Sequence, residues 1–408
     1  MKFWLQWDDP GRREQHRVAD MTKRKGSSTH CRPYPQQLRW AVLAGMLTLI
    51  AALSTVASYA SRPGEPLLIV AYVRGSASEI DRYPVGRLSH MNYSFLHLQG
   101  NRLALRSSRD SIGISHLVSL KKRNPGLKVI LSVGGWGGCK TCSDVFSARE
   151  GRHEFAVSAK DLLERFGADG VDLDWEFPAI EGYPGHRFAP EDRHNFTLLV
   201  QDLRDVLGSR YEVTFAAGGF MAYLRSSIEW DQVMPLVDRV YLMTYDLVNG
   251  FSTSTGHHTP LFSSPGQMES ADNAVRYLDS IGVPHSKIVI GAAFYARVWE
   301  NVDSTNNGLF QKGKFTTFVS YGHLDGYLDS TGAFTKFWDS TAQAPYAYDA
   351  SKRLFATFDD RRSIALKTNY VLDHRLGGIM FWELTGDKLE NGLLDAIVKT
   401  AQQAGRQK

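Results

Sequence analysis

Short apolar runs recur along the chain from Leu67 onward, separated by segments in which apolar residues return every three or four positions. The runs are continuous rather than alternating, which is typical of parallel strands buried on both faces of a sheet. Eight such runs are present, at residues 67–72, 90–95, 129–133, 170–175, 213–217, 239–243, 288–291 and 378–382. Helical patterns lie between them at 113–123, 153–166, 190–207, 270–281 and 363–372. This alternation predicts an α/β protein with a (β/α)8 TIM barrel.

The regular spacing is interrupted once, between Arg297 and Phe358. A structureless loop of about 60 residues is implausible inside a compact domain. We therefore predict a small α+β domain inserted after strand seven, at 299–357, with the barrel at 65–298 and 358–402. Its aromatic residues are expected to form mainly its own core, although some could edge a cleft. They are Phe310, Phe315, Phe318, Tyr321, Tyr327, Phe334, Phe337, Trp338, Tyr346 and Tyr348.

A basic leader at 1–39 precedes an uncharged, largely apolar segment at 40–61. This arrangement predicts either a secretory signal cleaved after Ala60 or an uncleaved membrane anchor, and polar residues after Leu53 favour the signal. A buried core helix is the third interpretation. Both leading interpretations place the remaining chain outside the cytoplasm, either secreted or periplasmic, or anchored by its N-terminal segment.

The composition, with 43% hydrophobic residues and 22% charged residues, is that of an ordinary globular protein. The formal net charge of +4 raises the question of nucleic-acid binding. However, the first 60 residues carry nine of the 47 Lys and Arg residues and four of the 43 acids, so 38 basic and 39 acidic residues remain downstream. The exported part is close to neutral, which argues against a nucleic-acid partner.

The chain has three cysteines, and Cys31 lies in the basic leader. The other two, Cys139 and Cys142, form a CxxC pattern. Such a pattern can bind zinc or act as a redox centre, but no second CxxC or nearby His pair completes a zinc site. In an exported protein, a small disulfide within one loop is the simpler prediction.

Three carboxylates occupy alternate positions at the fourth predicted strand, Asp172, Asp174 and Glu176. Because side chains alternate along a strand, all three would point into the barrel, about 6.6 Å apart. Like charges in a barrel interior raise one another's pKa, and Glu176 lies at the carboxyl end, where such barrels have their active sites. The pattern therefore predicts a general acid. A metal site and a purely structural role are the alternatives; one straight strand wraps an ion poorly, and buried unpaired charges are costly.

Five segments carry a specific resemblance. Residues 169–176 read DGVDLDWE, 132–136 SVGGW, 243–246 MTYD, 294–297 FYAR and 377–383 GGIMFWE. The sequence resembles glycoside hydrolase family 18, the chitinase family, whose DxxDxDxE motif matches at every fixed position. The resemblance extends from about Leu67 to Leu394 and is to the members that bear an α+β insertion domain.

The resemblance implies a retaining mechanism in which the substrate's own acetamido group attacks the anomeric carbon. Glu176 would protonate the leaving oxygen, Asp174 would stabilise the acetamido nitrogen, Asp172 would share a proton with Asp174, and Tyr245 would hydrogen-bond the acetamido carbonyl. Further substrate contacts are implied for Trp382 as the floor of the cleft, Asp246, Arg297, Met243, Trp136, Tyr72, Phe95 and Gly135. For Tyr72, Phe95 and Trp136, packing in the core is the alternative.

The expected substrate is chitin or an N-acetylglucosamine oligosaccharide, cleaved by a monomer without a cofactor or metal. The alternatives are cleavage of peptidoglycan or N-glycan cores, and a chitin-binding lectin without activity. Presence of Glu176 argues against the lectin. Adjacent His257 and His258 could imitate a metal pair, but without a third ligand a role within their loop is the preferred interpretation.

Overall fold

Eight parallel strands close into a barrel in a computed structural model of the chain, which describes residues 67–331 and 333–406. The strands of the chain are β1 (Leu68–Val73), β2 (His90–Gln99), β3 (Arg102–Ala104), β4 (Lys128–Gly134), β5 (Gly170–Asp174), β6 (Glu212–Gly218), β7 (Arg239–Met243), β8 (Ile288–Ala293), β9 (Tyr295–Glu300), β10 (Lys314–Ser320), β11 (Phe334–Asp339), β12 (Ala344–Asp349), β13 (Leu354–Thr357) and β14 (Gly378–Trp382).

The barrel order is β1-β2-β4-β5-β6-β7-β8-β14, and β14 pairs back to β1 in parallel register. All eight predicted runs form barrel strands, so the predicted fold class is confirmed. Strand β2 continues to Gln99, beyond the predicted residue 95, because its end pairs with β3 in an antiparallel hairpin.

The helices lie outside this barrel, and all but α9 lie in the barrel part of the chain. They are α1 (Ala77–Ile80), α2 (Ser108–Ser119), α3 (Cys142–Ser147), α4 (Arg149–Phe166), α5 (Asp192–Leu207), α6 (Met221–Ser226), α7 (Trp230–Val233), α8 (Ala271–Ser280), α9 (Tyr321–Thr331), α10 (Arg361–Asp373) and α11 (Leu393–Arg406). Their ends follow local chemistry: Ser107 and Asp360 cap α2 and α10 with capping boxes, and Gly167 ends α4 in the left-handed conformation.

The insertion after strand seven is a five-stranded antiparallel sheet in the order β10-β9-β13-β12-β11, together with α9. Its first strand begins at Tyr295 rather than at 299, because β9 follows β8 after a single residue. Most of its aromatic residues pack among themselves, whereas Phe318 is 68% exposed. The core members are Trp299, Val302, Leu309, Tyr346, Tyr348 and Phe355, with Phe310, Phe315 and Phe337 against them.

The predicted basic leader at 1–39 and the apolar segment at 40–61 lie outside the described residues. Within the described part of the chain, every helix is too short or too polar to cross a bilayer. The choice between a cleaved signal and a membrane anchor therefore stays a prediction from the sequence.

Candidate active site

The fourth barrel strand, β5, delivers the three predicted carboxylates to the carboxyl end of the barrel. Asp172 and Asp174 lie on it and are buried, and Glu176 follows two residues beyond its end with partial exposure. The alternate residues Val171, Leu173 and Trp175 pack in the layer between the barrel and the helices. The two-residue period of a strand thus directs one set of side chains into the barrel and the other outward.

Asp172 is fixed by hydroxyl groups from the two neighbouring strands, β4 and β6, and from β1 across the barrel. Ser132 Oγ and Tyr72 Oη donate to its Oδ2 at 2.7 and 2.8 Å, and Thr214 Oγ1 donates to its Oδ1 at 2.8 Å. Burial raises the pKa of Asp172, and these three hydrogen bonds oppose the rise. Both carboxylate oxygens are therefore held deep in the barrel, away from any substrate.

Asp174 differs from Asp172 in having a vacant acceptor. Its Oδ1 is buried and has no hydrogen-bond partner among the described residues, while its backbone carbonyl accepts the Gly135 N–H at 2.8 Å. Burial, followed by the charges of Glu176 and Asp172, raises the pKa of Asp174 well above its ordinary value. A buried carboxyl with a free oxygen is suited to receive an N–H group from a bound ligand.

Glu176 has the properties of a general acid. Burial raises its pKa to about 8, and the negative charge of Asp246 contributes to the rise. The carboxyl is therefore protonated at neutral pH while remaining partly exposed to the cleft. Such an elevated pKa is what proton donation to a leaving group requires.

Asp246 and Arg297, both expected to bind sugar hydroxyls, contact each other. The guanidinium donates to both carboxylate oxygens of Asp246, with Nη2 at 2.6 Å from Oδ2. His258 Nδ1 lies 3.5 Å from Asp246 Oδ1 on the buried side. Burial opposes ionisation of Asp246, but His258 and Arg297 outweigh it and hold the pKa of Asp246 below its ordinary value. Asp246 is thus a fixed negative charge near the acid.

Tyr245 lies two residues beyond the end of β7 and is buried in a small cluster inside the barrel. Its hydroxyl is 3.8 Å from Met380 Sδ, a weak partner. Burial, followed by the charge of Asp174, raises the pKa of Tyr245 well above its ordinary value, so it stays a neutral donor. Met243, the last residue of β7, packs against the same cluster, only partly buried.

Three aromatic rings from β1, β2 and β14 contact one another: those of Tyr72, Phe95 and Trp382. Phe95 stacks on Trp382 with centroids 5.4 Å apart and an interplanar angle of 13°. Tyr72 was expected to line the cleft, but it is 1% exposed and donates its hydroxyl to Asp172. Gly135 is also buried; with φ at +76°, a Cβ there would lie 2.3 Å from the Phe95 ring.

Trp136 is 48% exposed and belongs to a second aromatic group, which we call the rim cluster: Trp136, Phe177, Tyr183 and Phe251. The Tyr183 ring meets Trp136 edge-on at 5.4 Å, and Phe251, itself 65% exposed, lies at 6.0 Å. Phe177 directly follows Glu176. The rim cluster therefore extends an exposed aromatic surface from the acid, of the kind on which sugar rings stack.

The remaining sequence predictions concern sulfur and metal chemistry. Cys139 and Cys142 are joined in a disulfide on the loop after Trp136. His257 and His258 diverge: His257 Nε2 contacts Asp339 Oδ2 at 3.0 Å in the insertion, whereas His258 faces Asp246. Within residues 67–331 and 333–406, no group of three potential ligands could hold a metal ion.

The family model for glycosyl hydrolases family 18 matches residues 68–387, which include every site residue described above. The chain belongs to this family. Chitinase A1 of Niallia circulans is 36% identical over 301 residues, which cover 67% of this chain and 43% of that protein. The aligned region therefore spans less than half the length of that relative.

Two solved structures resemble this family 18 enzyme over most of its length. A family 18 N-acetylglucosaminidase from Paenibacillus barengoltzii has a TM-score of 0.74 and 35% identity, covering 82% of this chain and 99% of that chain. A chitinase from Bacillus thuringiensis has a TM-score of 0.77 and 28% identity, covering 83% and 70%. Family membership makes the chain a glycoside hydrolase.

Sequence reasoning did not identify several groups that complete the site of this family 18 enzyme. Thr214 was missed as a donor to Asp172, although its place opposite Asp172 on the next strand could have indicated it. His258 was assigned only a loop role and lies against Asp246. Tyr183 and Phe251 extend the rim around Trp136, and nothing in their local sequence indicated this.

Proposed function

We propose that this enzyme hydrolyses β-1,4 linkages between N-acetylglucosamine units of chitin or chito-oligosaccharides, with retention and with the substrate's acetamido group as nucleophile. One observation carries the proposal: among the described residues near Glu176, every other carboxyl group is buried or bound by neighbouring side chains. Asp172 accepts three hydrogen bonds deep in the barrel, Asp246 is bound by Arg297, and Asp174 is buried with a raised pKa. This arrangement favours the substrate's own acetamido oxygen as the nucleophile.

In the first step, the carboxyl proton of Glu176 passes to the glycosidic oxygen as the bond from that oxygen to C1 breaks. The acetamido carbonyl oxygen forms a bond to C1 and gives an oxazolinium ion. The free Oδ1 of Asp174 accepts the acetamido N–H and offsets the positive charge that develops there. In the second step, the Glu176 carboxylate takes a proton from water, whose oxygen attacks C1. The bond from C1 to the acetamido oxygen breaks, which opens the oxazolinium ring and restores the acetamido group.

The aromatic residues and Tyr245 would position the sugar for this chemistry. The indole of Trp382, partly exposed above Phe95, offers an apolar face to the sugar at the cleavage site. The neutral Tyr245 hydroxyl, whose one partner among the described residues is the Met380 sulfur, is available to donate to the acetamido carbonyl. Holding that oxygen near C1 keeps the two reacting atoms of the substrate aligned in a near-attack position.

Exo action that releases single N-acetylglucosamine units is a second candidate, supported by the similarity to an N-acetylglucosaminidase. Product analysis on chitin, labelled chito-oligosaccharides and peptidoglycan side by side separates the candidates. We expect soluble products from chito-oligosaccharides, with the position of cleavage distinguishing endo from exo action. Products from peptidoglycan alone would contradict the proposal, and binding without products would indicate a lectin.

The rate is expected to fall on the alkaline side of pH 8, by about tenfold per pH unit, because only protonated Glu176 donates. Asp246→Asn should move this limb to lower pH, since the charge of Asp246 helps to raise the pKa of Glu176. The pH profile of kcat/KM on a soluble chito-oligosaccharide tests this. Asp161→Asn, the same change on an exposed side chain, is the control; an unmoved limb in Asp246→Asn would contradict the assignment.

We further propose that the enzyme acts outside the cytoplasm. Two features support this: the basic leader followed by an uncharged segment at 40–61, and the Cys139–Cys142 disulfide, which persists in oxidising compartments. N-terminal sequencing of the protein exported by its host would show whether the chain is cleaved after Ala60.

A further inference from the structure

A fully buried ion pair lies behind the segment that carries Tyr245 and Asp246. Lys367 Nζ on α10 is 2.9 and 2.7 Å from the two carboxylate oxygens of Asp359, and neither side chain is exposed to solvent. A buried pair of this kind contributes little net stability, because desolvation offsets most of the attraction. The effect of this pair therefore lies in the groups that it holds in place.

The pair is connected by hydrogen bonds to the backbone directly before Tyr245. Lys367 Nζ donates to Thr259 Oγ1 at 2.6 Å, and Thr259 Oγ1 donates to the carbonyl oxygen of Thr244 at 3.1 Å. The Thr244 hydroxyl is itself bound to the backbone of Gly291 on β8. One chain of contacts thus runs from α10 to the residue that precedes the substrate-facing tyrosine.

Asp359 also accepts hydrogen bonds from the end of β8 and from α10. Its Oδ2 accepts the Ala293 N–H at 3.1 Å, and its Oδ1 accepts the Ser363 hydroxyl at 2.7 Å. Strand β8 leads after one residue into β9, which carries Arg297, the partner of Asp246. The Asp359 carboxylate therefore supports the strand that leads to Arg297, and through Lys367 and Thr259 the pair also supports the segment that carries Asp246.

His258 is a further buried group beside Asp246. Its ring is fully buried, with Nδ1 3.5 Å from Asp246 and the ring 5.2 Å from Tyr295. The charged groups that face it are Asp246, Arg297 and Asp359. Burial lowers the pKa of His258, and the charge of Arg297 lowers it further. Asp246 and Asp359 act in the opposite direction and raise it.

We propose that Lys367 and Asp359 are positioning residues for the proposed reaction. Through Thr259 they fix the segment from Thr244 to Asp246, and Lys367 neutralises the charge of Asp359, which would otherwise favour protonation of His258 beside Asp246. The inference rests on the proposed function, because it concerns how that reaction's residues are held. Neither residue of the pair touches the substrate.

The Thr259→Val variant tests the positional part, since it removes the bridging hydroxyl and keeps the shape and the ion pair. We expect kcat on chito-oligosaccharides to fall by about tenfold or more, with KM within about twofold, because misplaced reacting groups slow the chemical step. Thr197→Val, which removes a buried hydroxyl on α5 outside the barrel, is the matched control and should keep wild-type kcat.

The Lys367→Met variant tests the electrostatic part. Without Lys367 the Asp359 carboxylate has no cation beside it, and its charge raises the pKa of His258. A cation beside Asp246 weakens the field on Glu176, and the alkaline limb should move to lower pH by about one unit. Lys367→Met/Asp359→Asn removes both charges and should return the limb to its wild-type position while kcat stays low.

Lys287→Met is the control for the lysine substitution. Lys287 lies just before β8, at the opposite end of that strand from Ala293, and donates to the backbone carbonyls of Met234 and Val237. A folded Thr259→Val variant with wild-type kcat, or a folded Lys367→Met variant with an unmoved limb, would overturn the inference. If Lys367→Met does not fold, Thr259→Val and the double variant decide. A wild-type chain inactive on every N-acetylglucosamine polymer would overturn the proposed function instead.

Discussion

Replacing Glu176 by Gln is expected to lower kcat on chito-oligosaccharides by about 10³-fold, within the range that general-acid catalysis contributes. The amide has the shape of the carboxyl but no proton of comparable acidity to give to the leaving oxygen. Because Glu176 donates no hydrogen bond to another described residue, the fold should be unaffected. Steady-state kinetics with a soluble oligosaccharide, together with calorimetric binding of the same ligand, measures the effect.

Two results would define the role of Glu176. Binding should remain near the wild-type affinity, since the amide removes a proton donor and not the cleft. Glu154→Gln, on the exposed face of α4, should leave both quantities unchanged. A Glu176→Gln variant with near-normal turnover would rule out this residue as the acid.

Asp174→Asn is expected to lower kcat by about 100-fold, the second largest effect. The side-chain amide oxygen can still accept the acetamido N–H, but unlike the carboxyl it cannot lose a proton and become negative as the oxazolinium ion develops. Affinity for a thiazoline analogue of N-acetylglucosamine, which resembles that ion, should fall together with kcat. Affinity for the unreacted oligosaccharide should change much less.

The comparison between the two affinities identifies what Asp174 does. The comparison uses the inhibition constant for the thiazoline and the dissociation constant for the oligosaccharide. Both are measured on the wild type and on Asp174→Asn. Equal losses for both ligands would mean that Asp174 only binds the sugar. Wild-type thiazoline affinity in a slow variant would contradict stabilisation of the ion.

The fold was predictable because its signal is local and repeated. Each barrel strand is a short continuous apolar run, and the same two-residue period that directs Val171 and Leu173 outward directs Asp172 and Asp174 inward. The row of carboxyl groups could therefore be predicted from one segment. The start of the insertion was predicted four residues late, because β9 follows β8 without a turn signal.

The partners of these carboxylates could not be read in the same way. Tyr72 and Asp172 are separated by 100 residues, and their hydrogen bond follows from the barrel's closure rather than from any local pattern. Lys367 meets Thr259 across 108 residues for the same reason. Asp246 adopts φ of +57°, which few non-glycine residues do, and that turn directs it to Arg297.

The attack by the substrate's own acetamido group is the central claim, and a series of 4-nitrophenyl β-chitobiosides tests it most directly. The acyl group next to the cleaved bond is acetyl, fluoroacetyl, difluoroacetyl or trifluoroacetyl, so that fluorine weakens the carbonyl oxygen as a nucleophile at nearly constant size. We predict that kcat/KM falls steeply with each added fluorine. Rates that do not change across the series would show that the enzyme supplies the nucleophile and would contradict the mechanism.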